Sequence, residues 1–180
     1  MLVLLLGMLV ICSLSGSGGR GGGLVWHGGL TAACIGLWSW MQGQAGLACL
    51  LAVVMAGGVG LLGVQMLHVP ASGRERSGLR LAGGLACVTV LAQILTHGVG
   101  DMAQHFMVMA ALCAVLCGVW GACIARGPVA LCAGLACGLD GIMLLGARAG
   151  STPVMMVAIV ATAVLNAALA GMPRMETDPS

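Results

Sequence analysis

Residues 45–67 read AGLACLLAVVMAGGVGLLGVQML, and no charged side chain interrupts them. The hydrocarbon core of a bilayer is about 30 Å thick, and a helix needs about 20 apolar residues to cross it. A helix also satisfies its backbone hydrogen bonds within one segment, which lipid requires because it offers no polar partners. We therefore expect residues 45–67 to form a membrane-spanning helix.

Five further apolar stretches have spanning length, and a sixth, residues 1–14, is shorter. The sequence predicts an all-α, polytopic membrane bundle of seven spans, or six if residues 1–14 do not span. An interfacial helix and a signal-peptide core are the alternatives for this first segment, although it lacks a positive n-region. We expect residues 1–171 to form one transmembrane domain and residues 172–180 a polar tail. The five other full-length stretches are residues 24–41, 79–97, 102–125, 128–147 and 153–171.

The composition excludes a large soluble domain. Only 7% of the residues are charged, 60% are hydrophobic and the mean hydropathy is +1.10. Soluble domains average about 25% charged residues. We expect the lipid bilayer to be the main partner, and we expect neither nucleic-acid binding nor enzymatic activity.

The arginines predict the orientation of the chain in the membrane. With seven spans, six arginines fall in the tail and alternate loops on one side, and only Arg148 falls on the other. The positive-inside rule then predicts an external N-terminus and a cytoplasmic C-terminus. We expect the membrane to be a bacterial-type plasma membrane. The six arginines on the predicted cytoplasmic side are Arg20, Arg74, Arg76, Arg80, Arg126 and Arg174.

Two glycine patterns favour close helix packing. Gly134 and Gly138 form a GxxxG motif, which lets membrane helices approach closely. Residues 58–63 spell GxGxxG, but a dinucleotide site needs this string between a strand and a helix. Because the string lies within an apolar run, we interpret it as helix packing.

Ionisable side chains within spans are costly and therefore mark functional sites by default. In the predicted orientation His27 and His68 lie near the cytoplasmic face, whereas His97, His105 and Asp140 lie toward the outer face. Asp101 is explained as a helix N-cap, with Gln104 as its capping-box partner.

Sulfur and imidazole side chains line one side of the fifth predicted span. Met102, His105 and Met109 fall within one sector of this helix, together with Cys113, Cys117 and Cys123. Thioether and imidazole ligands suit Cu(I), while the cysteines are better explained by core packing. We predict an outer-facing copper site formed by His105, Met102, Met109, Asp140 and His97.

The run DMAQHFMVMA at residues 101–110 resembles a helix of the caa3-type cytochrome c oxidase assembly proteins. These proteins have seven spans and carry a string similar to His-Met-x-Gln-His-Met-Leu-Leu-Met. The resemblance implies copper delivery to a respiratory complex, and it attaches to Gln104, His105 and Met109. Asp101 stands where that family has its first histidine. The run also resembles helices of an actinobacterial membrane family with His-x-x-Met-x-x-x-Met patterns.

Two other function classes fit the same residues. The chain could be a structural or accessory subunit of a larger membrane complex, because it is small and has short loops. It could also be a proton or small-solute carrier that uses Asp140 and His105.

The copper prediction is tested by the metal content of protein purified anaerobically in detergent. We expect near-stoichiometric copper in the wild type and its loss in His105→Ala, because removing the imidazole removes a central ligand. Mass spectrometry measures both. Stoichiometric copper that persists in His105→Ala and in Met109→Ala would exclude this site.

Overall fold

The computed structural model describes residues 1–15, 21–43, 46–68, 77–95 and 102–171, and this part of the chain is all helical. Side chains are described for most of these residues. Seven helices follow one another, and the described ranges contain no strand. They are α1 (Leu2–Ser15), α2 (Gly21–Met41), α3 (Leu47–Leu67), α4 (Ser77–Leu95), α5 (Met102–Cys123), α6 (Pro128–Arg148) and α7 (Thr152–Gly171).

Four of these helices, α3, α5, α6 and α7, are long and apolar enough to cross a membrane. Helix α1 has 14 residues, which corresponds to about 21 Å at 1.5 Å per residue. It packs against α2, α4 and α5, and its Leu6 and Leu9 are fully buried. The prediction of an all-helical chain with several apolar, membrane-length helices is confirmed. The predicted loop charges at 20, 74, 76 and 174, and the predicted tail, lie outside the described residues.

Helix α6 occupies the centre of the bundle, in contact with α2, α3, α5 and α7. Its contact with α5 is backbone to backbone, because glycines face each other at the crossing. A Cβ atom added to Gly118 would collide with the backbone of Gly138, and one added to Gly141 would lie 2.6 Å from the Ala111 carbonyl oxygen. The predicted role of small residues in helix packing is confirmed for this pair.

The GxGxxG string of α3 also serves packing. An added Cβ on Gly58 would lie 3.2 Å from the Thr162 side chain of α7. The Gly58 carbonyl oxygen accepts a hydrogen bond from Asn166 Nδ2 at 3.0 Å. A polar tie of this kind stabilises a helix pair in lipid, by about 0.6 kcal/mol on average. The interpretation of this motif as helix packing is confirmed at Gly58, whereas a Cβ added to Gly60 would meet nothing within 4 Å.

Arg80 is one of the arginines that predict the cytoplasmic side, and it is buried rather than exposed in a loop, with 5% of its surface accessible. Its guanidinium lies over Gly121, near the last turn of α5, where an added Cβ would be 3.2 Å from one of its nitrogens. A cation near the C-terminus of a helix interacts favourably with the helix dipole. Arg80 therefore lies beside the end of α5 that the predicted orientation assigns to the cytoplasm.

The two glycines of the GxxxG motif give a matched test of the α5–α6 contact. In Gly134→Ala the new Cβ would lie 2.7 Å from the Ala122 backbone nitrogen, whereas in Gly138→Ala its nearest neighbour is 3.8 Å away. We expect Gly134→Ala to destabilise the protein by about 1–3 kcal/mol, the usual cost of overpacking. Gly138→Ala should be nearly neutral. Reversible unfolding in mixed micelles measures both, and equal effects would contradict the described crossing.

Candidate functional site

Four polar side chains from three helices meet inside the bundle. His27 of α2 lies between Asp140 of α6 and Ser13 of α1, with His27 Nδ1 2.7 Å from Asp140 Oδ2 and His27 Nε2 2.9 Å from Ser13 Oγ. Cys137 Sγ is 3.3 Å from the same Nε2 atom. His27 and Asp140 are fully buried, and Ser13 and Cys137 are almost so. We call these four residues the histidine cluster.

Local helix geometry positions the members of the histidine cluster. Cys137 and Asp140 are three residues apart on α6, so they lie on one face of that helix. Gly141 follows Asp140 and brings α5 against α6 at this depth, since its α-carbon faces the backbone of Ala111. On α2, Thr31 donates a hydrogen bond to the His27 carbonyl oxygen, one turn away. Two cavities lie among the described residues, one at an end of the bundle and one along α5, α6 and α7. No member of the histidine cluster lines either of them.

The hydrogen bonds of the histidine cluster suit two protonation states. Ser13 Oγ donates to the Leu9 carbonyl oxygen at 2.9 Å, and a hydroxyl has one proton to donate. In the first state, therefore, His27 Nε2 carries a proton and donates it to Ser13, and one further proton is shared between Nδ1 and Asp140, as imidazolium with carboxylate or as neutral imidazole with carboxylic acid. In the second state the Ser13 hydroxyl or the Cys137 thiol turns and donates to a neutral His27 Nε2. Rotation of the Ser13 hydroxyl or of the Cys137 thiol thus determines which protonation state of His27 has its hydrogen bonds satisfied.

Asp140 has an oxygen that the described residues do not satisfy. Oδ1 is buried and makes no hydrogen bond to any described atom. A buried charge needs a partner, because its transfer from water costs several kcal/mol per ion. The two forms of the first state, imidazolium with carboxylate and neutral imidazole with carboxylic acid, both carry zero net charge, whereas the second state, a neutral His27 beside the Asp140 carboxylate, carries one negative charge. The cluster therefore holds one exchangeable proton without a net charge.

The Ser13–His27–Asp140 chain has the order of a nucleophile, base and carboxylate. An acyl-transfer site also needs substrate access and an oxyanion hole. Ser13 is 2% exposed and directs its proton to a backbone carbonyl, not to the imidazole base. The arrangement suits proton exchange within the cluster better than attack on a substrate.

The predicted copper residues are not brought together by the described structure. Met102 is 73% exposed, and His105 and Met109 are half-buried on α5. His97 lies outside the described residues. Ala111 of α5 faces Gly141, next to Asp140. At 100° per residue His105 lies about 120°, and Met109 about 160°, around the helix from Ala111. Asp140 therefore faces a different side of α5 from the sulfur and imidazole residues.

Among the described residues, no group of three or more His, Cys, Asp or Glu side chains has a metal-binding arrangement. Methionine is outside that set, so metal binding by Met102, His105 and Met109 stays a prediction. Two cysteines of the same stripe are core residues, as expected. Cys113 and Cys117 are buried in a small cluster with Leu91.

One prediction of depth is wrong. The sequence analysis assigned His27 to the cytoplasmic end and Asp140 to the outer end, but their side chains are in direct contact. Apolar runs define where helices begin and end only approximately, so the depth of a side chain within a span is poorly determined. Ser13 was not predicted at all. The one available signal was its position in an apolar helix, where a serine hydroxyl commonly bonds to the carbonyl four residues earlier.

Comparisons of the chain with protein-family models, with curated proteins and with solved structures found no match.

Proposed function

We propose that the seven helices form a seven-span bundle in a bacterial-type plasma membrane, with the N-terminus outside and the C-terminus in the cytoplasm. The arginine distribution and the position of Arg80 support this orientation. C-terminal fusions test it: a fluorescent protein should be fluorescent there, whereas alkaline phosphatase should be inactive. Active phosphatase at the C-terminus would reverse the orientation.

With this membrane topology, we propose that the protein is a proton-coupled carrier and that the histidine cluster is its proton-binding site. The observation that supports this proposal is the 2.7 Å contact between the fully buried His27 and Asp140. Ionisable side chains inside a membrane are costly, and chains of Asp, Glu and His are the usual proton relays of pumps and transporters.

A carrier site must bind its proton stably and also release it. The two hydrogen-bonding patterns of Ser13 and Cys137 satisfy His27 with or without a proton on Nε2. Asp140 Oδ1, which has no described partner, is a second position for a proton or a water molecule. Loss of the proton would leave a net negative charge in a dry site, so release needs a conformational change or a compensating ion.

The other two function classes involve different features. Copper handling would use Met102, His105 and Met109, without Asp140 at the same site. An accessory subunit would use the histidine cluster only to hold α1, α2 and α6 together.

Proton movement into liposomes tests the carrier proposal. We expect purified protein to accelerate acidification, with a mixture of salts, amino acids and small organic acids outside. Asp140→Asn keeps the shape of the side chain but removes the acid, so we expect it to slow this movement about tenfold or more. A pH-sensitive dye inside the liposomes measures the rate.

Thr162→Val is the matched control, because Thr162 is a buried hydroxyl outside the cluster, bonded to Ala158. It should leave the rate unchanged. Both variants must elute as folded protein with wild-type helicity. An Asp140→Asn rate equal to that of the wild type, or no movement in any sample, would contradict the carrier proposal. Stoichiometric partners in mild detergent would then favour the subunit.

A further inference from the structure

A cavity of about 610 Å³ lies at one end of the bundle, between α2, α3, α5, α6 and α7. In the proposed orientation this end faces outward. Small-molecule sites have volumes of about 300–1,000 Å³. Its wall near the bundle core includes Trp38, Leu51 and Met155, all buried. The cavity is therefore large enough for a small organic solute and partly apolar at its base.

The polar groups on its wall are cationic or neutral. Arg148 lines it, as do the hydroxyl and amide side chains of Ser39, Gln42, Gln104 and Thr152. No acidic side chain among the described residues does so. Ser39 is 4% exposed, and no hydrogen bond links its hydroxyl to another described residue. A hydroxyl on the cavity wall without a protein partner can form a hydrogen bond with water or with a ligand in the cavity.

Helix termini add to the positive character of the same cavity. The first turns of α3 and α7 contribute Leu47, Ala48 and Thr152 to the wall, and the first turn of α5 contributes Gln104. The first backbone N–H groups of a helix have no partners within it, and the helix dipole places positive charge there. Three helix N-termini and the guanidinium of Arg148 thus border the cavity, together with the C-terminal ends of α2 and α6, whose dipoles place negative charge there.

The cavity lies above the histidine cluster. Ala147 of the wall is seven residues from Asp140 on α6, which is about 10 Å along the axis and within about 20° of the same face. Trp38 lies within about 20° of the same face of α2 as His27, 11 residues or about 16 Å further along the axis. Leu144 and Cys34 lie between the two levels and are fully buried. An apolar layer about two to three helical turns deep therefore separates the cavity from the histidine cluster.

We propose that this cavity binds a small anionic solute that carries a carboxylate or phosphate group, held by Arg148. The inference rests on the proposed carrier function, because the solute would be the species that moves with the proton. Entry of one proton on the histidine cluster together with one monovalent anion adds no net charge to the bundle. That pairing removes the cost of a lone charge in the membrane.

Anion binding is measured on folded wild-type protein in detergent, by the change in tryptophan fluorescence when inorganic phosphate or lactate is added. We expect saturable binding of at least one of these anions. Arg148→Gln should weaken it about tenfold or more, since charge-assisted hydrogen bonds are the strong ones. Trp38→Phe should abolish most of the signal, because Trp38 lies on the wall.

Arg126→Gln is the matched control, because it removes the same charge in the turn between α5 and α6, away from the cavity. It should bind as tightly as the wild type. No binding of either anion, or equal weakening by both substitutions, would overturn the inference. So would anionic phospholipid retained through Arg148 in mass spectra, with no free anion bound.

The binding test and the test of proton movement into liposomes distinguish failure of the anion site from failure of the carrier proposal. Asp140→Asn should still bind the anion, because Asp140 lies below the cavity. Binding without proton movement would refute the carrier proposal and leave the anion site. Asp140-dependent proton movement without anion binding would refute the anion site and leave the carrier.

Discussion

The contact between His27 and Asp140 is the interaction on which the rest of the structure depends, because lipid offers no alternative partner for either group. The imidazole and the carboxylate, which meet at 2.7 Å, require α2 and α6 to stay at fixed depth and rotation, and the contact of Ser13 with the imidazole adds α1. Helix α6 supplies the carboxylate, α2 the imidazole and α1 the hydroxyl. The same requirement explains why α1, which is too short to cross a bilayer of average thickness unaided, is packed within the bundle.

The polar contacts divide the bundle into two regions. Asn166 and Thr162 join α7 to α3 through Gly58 and Met55, at the side of the bundle away from α1. The histidine cluster joins α1, α2 and α6. Helix α6 lies between these two regions. Residues along its inner face are buried, and its small residues allow other helices to pack on several sides. The central helix therefore carries two ionisable side chains, Asp140 and Arg148, although most of its inner face is buried.

The sequence predicted the helices well and the site poorly, for a physical reason. Long uncharged runs and their small residues are local properties, so helix number, approximate bounds and glycine packing follow from them. Which residues meet across helices depends on rotation about each axis, and an apolar helix in lipid has little amphipathic signal to define that rotation. Asp140 was identified as important, yet its partner on α2 was not. His105 shared its predicted depth but points around α5 to another side.

The glycine crossing of α5 and α6 also limits how the protein can move. The backbones of α5 and α6 touch at Gly118, Gly134 and Gly141. Sliding or rolling of one helix past the other would cause steric collisions, so the two helices form a rigid unit. Rearrangements that expose a buried site to alternate sides of a membrane commonly proceed by one group of helices rocking against another. In this bundle the mobile group would include α1 and α2. Such a movement would carry Ser13 and His27 away from Asp140, so opening the histidine cluster would also separate its hydrogen-bonded members.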